Sequence, residues 1–256
     1  MPNSITEKLS VLIITLNEEE HLHSLLSDLD FADEIVIVDS FSTDKTADIA
    51  KSFPKVTFLQ NKFENFSAQR NFAISQSNND WILFLDADEY LTPELKQEII
   101  ETLQNNQRYS AYFFERVFMF EKKILKYSGN QTDKIFRLFN KKFAKYDEKR
   151  LVHEKLIVEG EIGHLKNKLI HYSYASFNDY KEKIIFYGKF KAQEKFAKQK
   201  KSNLFLKVFH PAYNFIYNYI IRLGILDGKK GIIICYLNAF CISVRYKELN
   251  RLWKQN

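Results

Sequence analysis

Asp86 and Asp88 stand one residue apart at the end of the apolar run "WILFLDADEY" (81–90), with Glu89 directly after them. Two carboxylates in D-x-D spacing can both turn toward one ion. Oxygen donors suit hard cations, Mg2+ or Mn2+, which keep waters and bind phosphates. The competing reading is a plain strand end, where carboxylates are common. Asp39 closes a second apolar run, "EIVIVD" (34–39), ahead of the polar loop "SFSTDKT" (40–46). A carboxylate there can accept a hydrogen bond from a base N–H or a ribose hydroxyl. A helix cap, from Ser42 or Thr43, would need no Asp39. Neither G-x-G-x-x-G nor G-x-x-x-x-G-K-[ST] occurs, which argues against a dinucleotide fold and a P-loop.

These residues need a scaffold, and the first 100 residues supply one. "LSVLIITL" (9–16), "EIVIVD" (34–39), "VTFLQ" (56–60) and "WILFLD" (81–86) read as buried strands. Between and after them lie helical patterns: Leu22, Leu25, Leu26 and Leu29; "STDKTADIAKSF"; "SAQRNFAISQS"; and "TPELKQEIIETLQ", which opens on a Thr-Pro start. The alternation predicts an α/β fold, with a mostly parallel, Rossmann-like sheet and helices on both faces. Ligands of such sheets lie beyond the carboxyl ends of the strands at a switch point. With strand order 3-2-1-4, Asn17, Glu18, Asp39, Asp86 and Asp88 would line one crevice. Farther on, 109–120 and 134–140 alternate and are predicted strands. From 176 the pattern turns helical and basic.

The charge is unevenly divided. Residues 181–256 hold 16 Lys and Arg against 4 Asp and Glu, while the whole chain carries +6. A neutral-to-acidic body with a basic tail suggests an anionic partner for the tail. The tail's apolar stretches, 203–226 (read as interrupted by Pro211) and 231–244, fall short of about 20 clean apolar residues, so the membrane plane suits them better than a span. Packing on the body or on a second subunit is the alternative. The two cysteines, Cys235 and Cys241, sit in one apolar run, and the N-terminus shows no signal-peptide pattern. A reducing, cytoplasmic setting is expected. A nucleic-acid binder is disfavoured, because the basic residues alternate with long aliphatic runs.

In this order, "TLNEE" (15–19), "EIVIVDSFSTDKT" (34–46), "AQRNFAI" (68–74) and "FLDADEYL" (84–91) resemble the GT-A nucleotide-diphospho-sugar glycosyltransferases of family 2. "VHEKL" (152–156), "HYSY" (171–174) and "LGILDGKKGI" (223–232) are similar to one branch, lipopolysaccharide-core glucosyltransferases that add a hexose to inner-core heptose. The resemblance covers nearly the whole chain. It implies a GT-A catalytic domain over 1–175, with a nucleotide-sugar half (1–105) and an acceptor half (106–175), and a helical, basic extension over 176–256. It implies that Thr15, Leu16, Asn17 and Glu18 line the base and that Asp39 bonds the uracil edge. Arg70 would lie near the diphosphate, Asp86 at the ribose or a metal-bound water, and Asp88 on the metal. Leu16 departs from relatives that place a base-stacking aromatic there.

The implied reaction is metal-dependent, inverting transfer of a hexose, glucose by the branch's likeness. The implied donor is a UDP-sugar and the implied acceptor a glycan or glycolipid, lipopolysaccharide core by the branch's likeness, at the inner face of the cytoplasmic membrane. Glu154 takes the acceptor proton. His153 and His171 orient it or, for His171, add a metal ligand. A sugar-nucleotide pyrophosphorylase lacks its glycine-rich loop here, and a D-x-D phosphatase would carry the motif on its first strand.

Overall fold

Short β-branched runs between amphipathic stretches fold as their periods require. The computed structural model describes residues 7–105, 108–121, 123–129, 134–148, 155–174 and 176–255. It begins β1 (Leu9–Thr15), α1 (Leu22–Ser27), β2 (Glu34–Asp39), α2 (Thr46–Lys51), β3 (Val56–Gln60), α3 (Phe66–Gln76) and β4 (Trp81–Asp86). The four strands pair in parallel in the order β3-β2-β1-β4. Their side chains sort with period two. Val11, Ile13, Ile35, Ile37, Leu83 and Leu85 enter one core with Leu22 and Leu25 of α1. Leu12, Val36, Ile82 and Phe84 enter the other with Ala73 of α3. Burial on both faces is why these strands read as continuous apolar runs.

After β4 the chain makes β5 (Glu89–Leu91) and α4 (Pro93–Asn105). Thr92 caps α4 by accepting from the Leu95 amide at 3.2 Å, as the Thr-Pro start predicts. Then come β6 (Ala111–Phe120), β7 (Lys123–Leu125), β8 (Lys134–Asn140), β9 (Ala144–Tyr146), β10 (Leu156–Val158) and β11 (Ile162–Tyr174). The sheet continues β4-β8-β6-β11-β5, with β8 antiparallel to β4 and to β6, and β5 antiparallel to β11. The sheet as a whole is therefore mixed, parallel over its first four strands and antiparallel where β8 joins β4 and β6 and where β5 joins β11. β9 and β10 form a separate antiparallel pair.

The chain divides into two compact units, residues 1–116 with 134–171, and 117–133 with 172–256. The first holds both cores just described. The second is built on α5 (Phe177–Ala197), α6 (Leu204–Ile216) and α7 (Lys229–Gln255). α5 and α6 both pack on α7. Phe120, Leu125, Tyr180, Ile184, Ile234 and Leu237 form one of its cores. Pro211 lies inside α6 and does not end it. The break comes later, at a π-helical turn (Tyr217–Ile221) and at Leu223, whose φ is 55°. The "LGILDGKKGI" segment is an anchor of this unit. Asp227 is buried and accepts from the Lys126 and Tyr127 amides and the Ser128 hydroxyl, at 2.8–3.1 Å. A Cβ on Gly231 would stand 2.0 Å from the Gly224 carbonyl oxygen, so only glycine permits that approach.

Candidate active site

The carboxyl ends of β1, β2 and β4 lie level: Thr15 pairs with Asp39, and Ile14 with Asp86. At that edge two loops are sewn together. Asp39 is fully buried and its oxygens accept from the Thr15 hydroxyl (3.0 Å), the Ser42 amide (2.8 Å), the Ser42 hydroxyl and the Gln60 amide group (3.2 Å). Asn17, with φ 56°, accepts from the Thr43 amide at 2.8 Å and donates its own amide to Ser42 Oγ at 2.8 Å. The Glu18 amide donates to Thr46 Oγ1 at 2.8 Å and the Glu19 amide to Asp44 Oδ2 at 3.1 Å. The polar residues of "SFSTDKT" therefore bind the β1 loop to the β2 loop. Asp44 Oδ1 also accepts from the amide of Thr46, the first residue of α2, at 3.0 Å, while the N-cap residue, Lys45, makes no side-chain cap bond.

Two apolar side chains stand out on these loops. Leu16 and Phe41 are each 55% exposed. Phe41 also has φ 64°, a left-handed backbone that is an outlier for a bulky residue.

The three carboxylates after β4 do not face one another uncompensated. Arg70 Nη2 donates to Asp86 Oδ1 at 2.7 Å, and Arg137 Nη2 donates to Asp86 Oδ2 and, at 2.7 Å, to Glu89 Oε1. Arg116 Nη1 donates to Glu89 Oε1 at 3.1 Å, and Glu89 Oε2 accepts from the Asp86 amide at 3.1 Å. Arg70 is buried, its guanidinium 4.5 Å from the Phe84 ring centre and 5.5 Å from that of Tyr146. Burial penalises the Asp86 carboxylate, but the two guanidiniums outweigh it and hold the group far below the usual carboxylate range. Arg137, equally penalised by burial, is held protonated by Asp86 and Glu89. Both oxygens of Asp86 are thus engaged by cations of the chain itself. Arg70, expected at a diphosphate, points its Nη2 at Asp86.

Asp88 is different. Its Oδ2 lies 3.3 Å from His171 Nε2, brought by β11, and both side chains stay partly open. Burial disfavours the imidazolium, but the hydrogen-bonded Asp88 and nearby Glu89 outweigh it and raise the His171 pKa, with Arg116 opposing. One oxygen and one nitrogen donor fit a divalent cation. Their separation is close to the about 3.0 Å of two neighbouring ligands at about 2.1 Å around an octahedral ion. Among the described residues no group of three or more His, Cys, Asp or Glu could hold a metal. A two-donor set leaves the other positions to phosphate oxygens and water, as hard cations that bind phosphates require, with the imidazole the less usual of its two donors.

The sequence-based site residues thus divide. Thr15, Leu16, Asn17, Glu18 and Asp39 meet on the paired loops, and Arg70 and Asp86 pair in the ion cluster. Asp88 and His171 meet beside it, and Glu154 and His153 lie outside the described residues. Arg116, Arg137 and Phe41 are the residues the sequence reading missed. A lone arginine inside "KIFRLFN" was the available signal: an internal strand position flanked by apolar residues leaves a charge few places but a buried partner.

A family model described as glycosyl transferase family 2 matches residues 10–160, more than half of the chain. An uncharacterised glycosyltransferase of Rickettsia typhi is 30% identical over 264 residues, covering 96% of this chain and 88% of its own. The lipopolysaccharide core biosynthesis glycosyltransferase LpsC of Rhizobium meliloti is 26% identical, covering 93% of each chain. Among solved structures, TarS 1-349 of S. aureus in complex with UDP aligns at a TM-score of 0.50 and 16% identity, over 97% of this chain and 92% of that one. That likeness speaks for the fold.

Proposed function

The chain belongs to glycosyl transferase family 2, and from that premise we propose that it transfers a hexose, glucose by its branch resemblance, from a UDP-sugar to a lipopolysaccharide-core acceptor. The transfer depends on Mg2+ or Mn2+ and inverts the anomeric carbon. The observation that carries this reading is the Asp88–His171 pair, 3.3 Å apart at the carboxyl end of β4, beside the switch point between β1 and β4. LpsC, a relative named for core biosynthesis, supports the acceptor class.

Residues 1–105 take the donor, 106–175 the acceptor, and 176–256 form the extension. Asp39 accepts the imide N–H of uracil once it releases one of its present donors, Thr15, Ser42 or Gln60, and Phe41 offers the exposed ring that Leu16 does not. Arg70 and Arg137 keep Asp86 ionised and fixed, so that it positions the turn bearing Asp88. Asp88 and His171 would hold the divalent cation, which supplies charge neutralisation for the leaving diphosphate. Glu154 removes the proton of the acceptor hydroxyl as that oxygen attacks C1 from the face opposite the diphosphate, with His153 orienting it. One displacement inverts the centre. A glycolipid acceptor resides in a bilayer, so this reading places the enzyme at the inner face of the cytoplasmic membrane.

A panel of UDP- and GDP-hexoses, assayed with Mn2+ and a heptose-terminated core acceptor, tests the reading. UDP release from a UDP-hexose is expected. Glu154→Gln is expected to keep donor binding while transfer falls by about 10²–10⁴-fold. Turnover confined to GDP-sugars would overturn the donor, and a wild-type rate in Glu154→Gln would overturn the base.

A further inference from the structure

α6 is attached by its more polar side and turns its apolar side outward. His210 Nδ1 lies 2.9 Å from the hydroxyl of Tyr246 on α7, and Pro211 is buried. On the other side Leu204, Phe205, Val208, Phe209, Tyr213 and Ile216 are each 52–77% exposed. The steps from Phe205 through Phe209, Tyr213 and Ile216 to Ile220 are those of one helical stripe. Ile220, Ile221 and Leu226 extend it, 56–64% exposed. An amphipathic helix of a soluble protein buries this face, and a contiguous exposed one marks an interaction surface.

Charge identifies the occupant. From residue 195 to residue 226 the chain carries Lys195, Lys198, Lys200, Lys201, Lys207 and Arg222 and no Asp or Glu. A second copy seated on this face would set cations against cations. An anionic bilayer surface offers the opposite sign and a place for the Phe, Ile and Tyr side chains. The 13 residues of α6 reach about 20 Å, short of a hydrocarbon core of about 30 Å. Among the described residues no helix is long and apolar enough to cross a membrane.

We propose that α6 and the turns after it, through Leu226, seat in the plane of an anionic phospholipid surface. This deepens the proposed function by naming the surface on which a glycolipid acceptor is met, but it stands on the second unit's own face.

Flotation of the full chain with phosphatidylglycerol-containing and pure phosphatidylcholine vesicles tests it, with UDP binding measured on the same samples. Wild type is expected to bind the anionic vesicles about tenfold or more tightly than the neutral ones, and less tightly as salt rises. The double variant Phe205→Glu, Phe209→Glu is expected to lose that binding while keeping its UDP affinity and helical circular dichroism. Lys200→Gln with Lys201→Gln is expected to weaken anionic binding alone. Equal vesicle binding by wild type and the Phe205→Glu, Phe209→Glu variant would overturn the proposal. So would a wild-type dimer in light scattering that the same substitutions dissociate, since it would assign the face to a second copy. Vesicle binding without any UDP binding would sink the donor reading and leave this one standing.

Discussion

Phe41 holds a left-handed backbone that costs a non-glycine residue about 1–2 kcal/mol. The two hydrogen bonds from Ser42 to Asp39 that close its loop keep it there, and Thr15 and Gln60 hold Asp39 in turn. Strain retained in an exposed aromatic at a strand end is what a ligand-facing position shows. Phe41→Gly should therefore move stability and binding in opposite directions. Chemical denaturation should show a gain of up to about 1 kcal/mol, and UDP affinity should fall by about 1 kcal/mol or more through the lost ring. A variant that gains stability and keeps full affinity would remove Phe41 from the site. At this scale the sequence is partly legible. D-x-D and Asp39 can be read because strand ends expose their chemistry in one short window. Leu16 is seen to lack a ring, but Phe41's role is hidden, because nothing in "DSFST" declares the sign of φ.

The ion cluster belongs to the elements. β4 and β5 bring Asp86 and Glu89, α3 brings Arg70, and β6 and β8 bring Arg116 and Arg137 from downstream. Arg137 is nearly inaccessible, and removing one member of a buried pair leaves an uncompensated charge, which costs about 3–5 kcal/mol. Arg137→Leu should thus lower unfolding stability by that order in denaturant titrations. A loss below about 1 kcal/mol would mean that water, and not Arg137, compensates Asp86 and Glu89. The strands and their order 3-2-1-4 are legible, because period and β-branching are local and βα alternation leaves few topologies. The pairing of β8 with β4 is not, because the partners lie 55 to 59 residues apart and antiparallel neighbours carry no local mark. Pro211 misleads for a related reason: the helix interior disfavours it, yet packing of α6 on α7 outweighs the lost hydrogen bond.

At the scale of the whole molecule, charge and chemistry are partitioned. The first unit holds the carboxylates and the joined loops at the carboxyl ends of β1 and β2. The second holds a helix with its apolar face exposed and a surplus of cations. Composition displays that division directly, since the last 76 residues carry 16 of the 38 basic side chains and 4 of the 32 acidic ones. What composition cannot display is that α6 faces outward, because an amphipathic pattern is the same whichever side packs.

The account rests on a cation held by Asp88 and His171 for a sugar nucleotide's diphosphate. Calorimetric titration of UDP into the full chain, with Mn2+ and again with a chelator, tests it most directly. Wild type is expected to bind about tenfold or more tightly with Mn2+, and Asp88→Asn and His171→Ala are each expected to abolish that gain. Equal affinity with and without Mn2+ in wild type, or an undiminished gain in both variants, would contradict it.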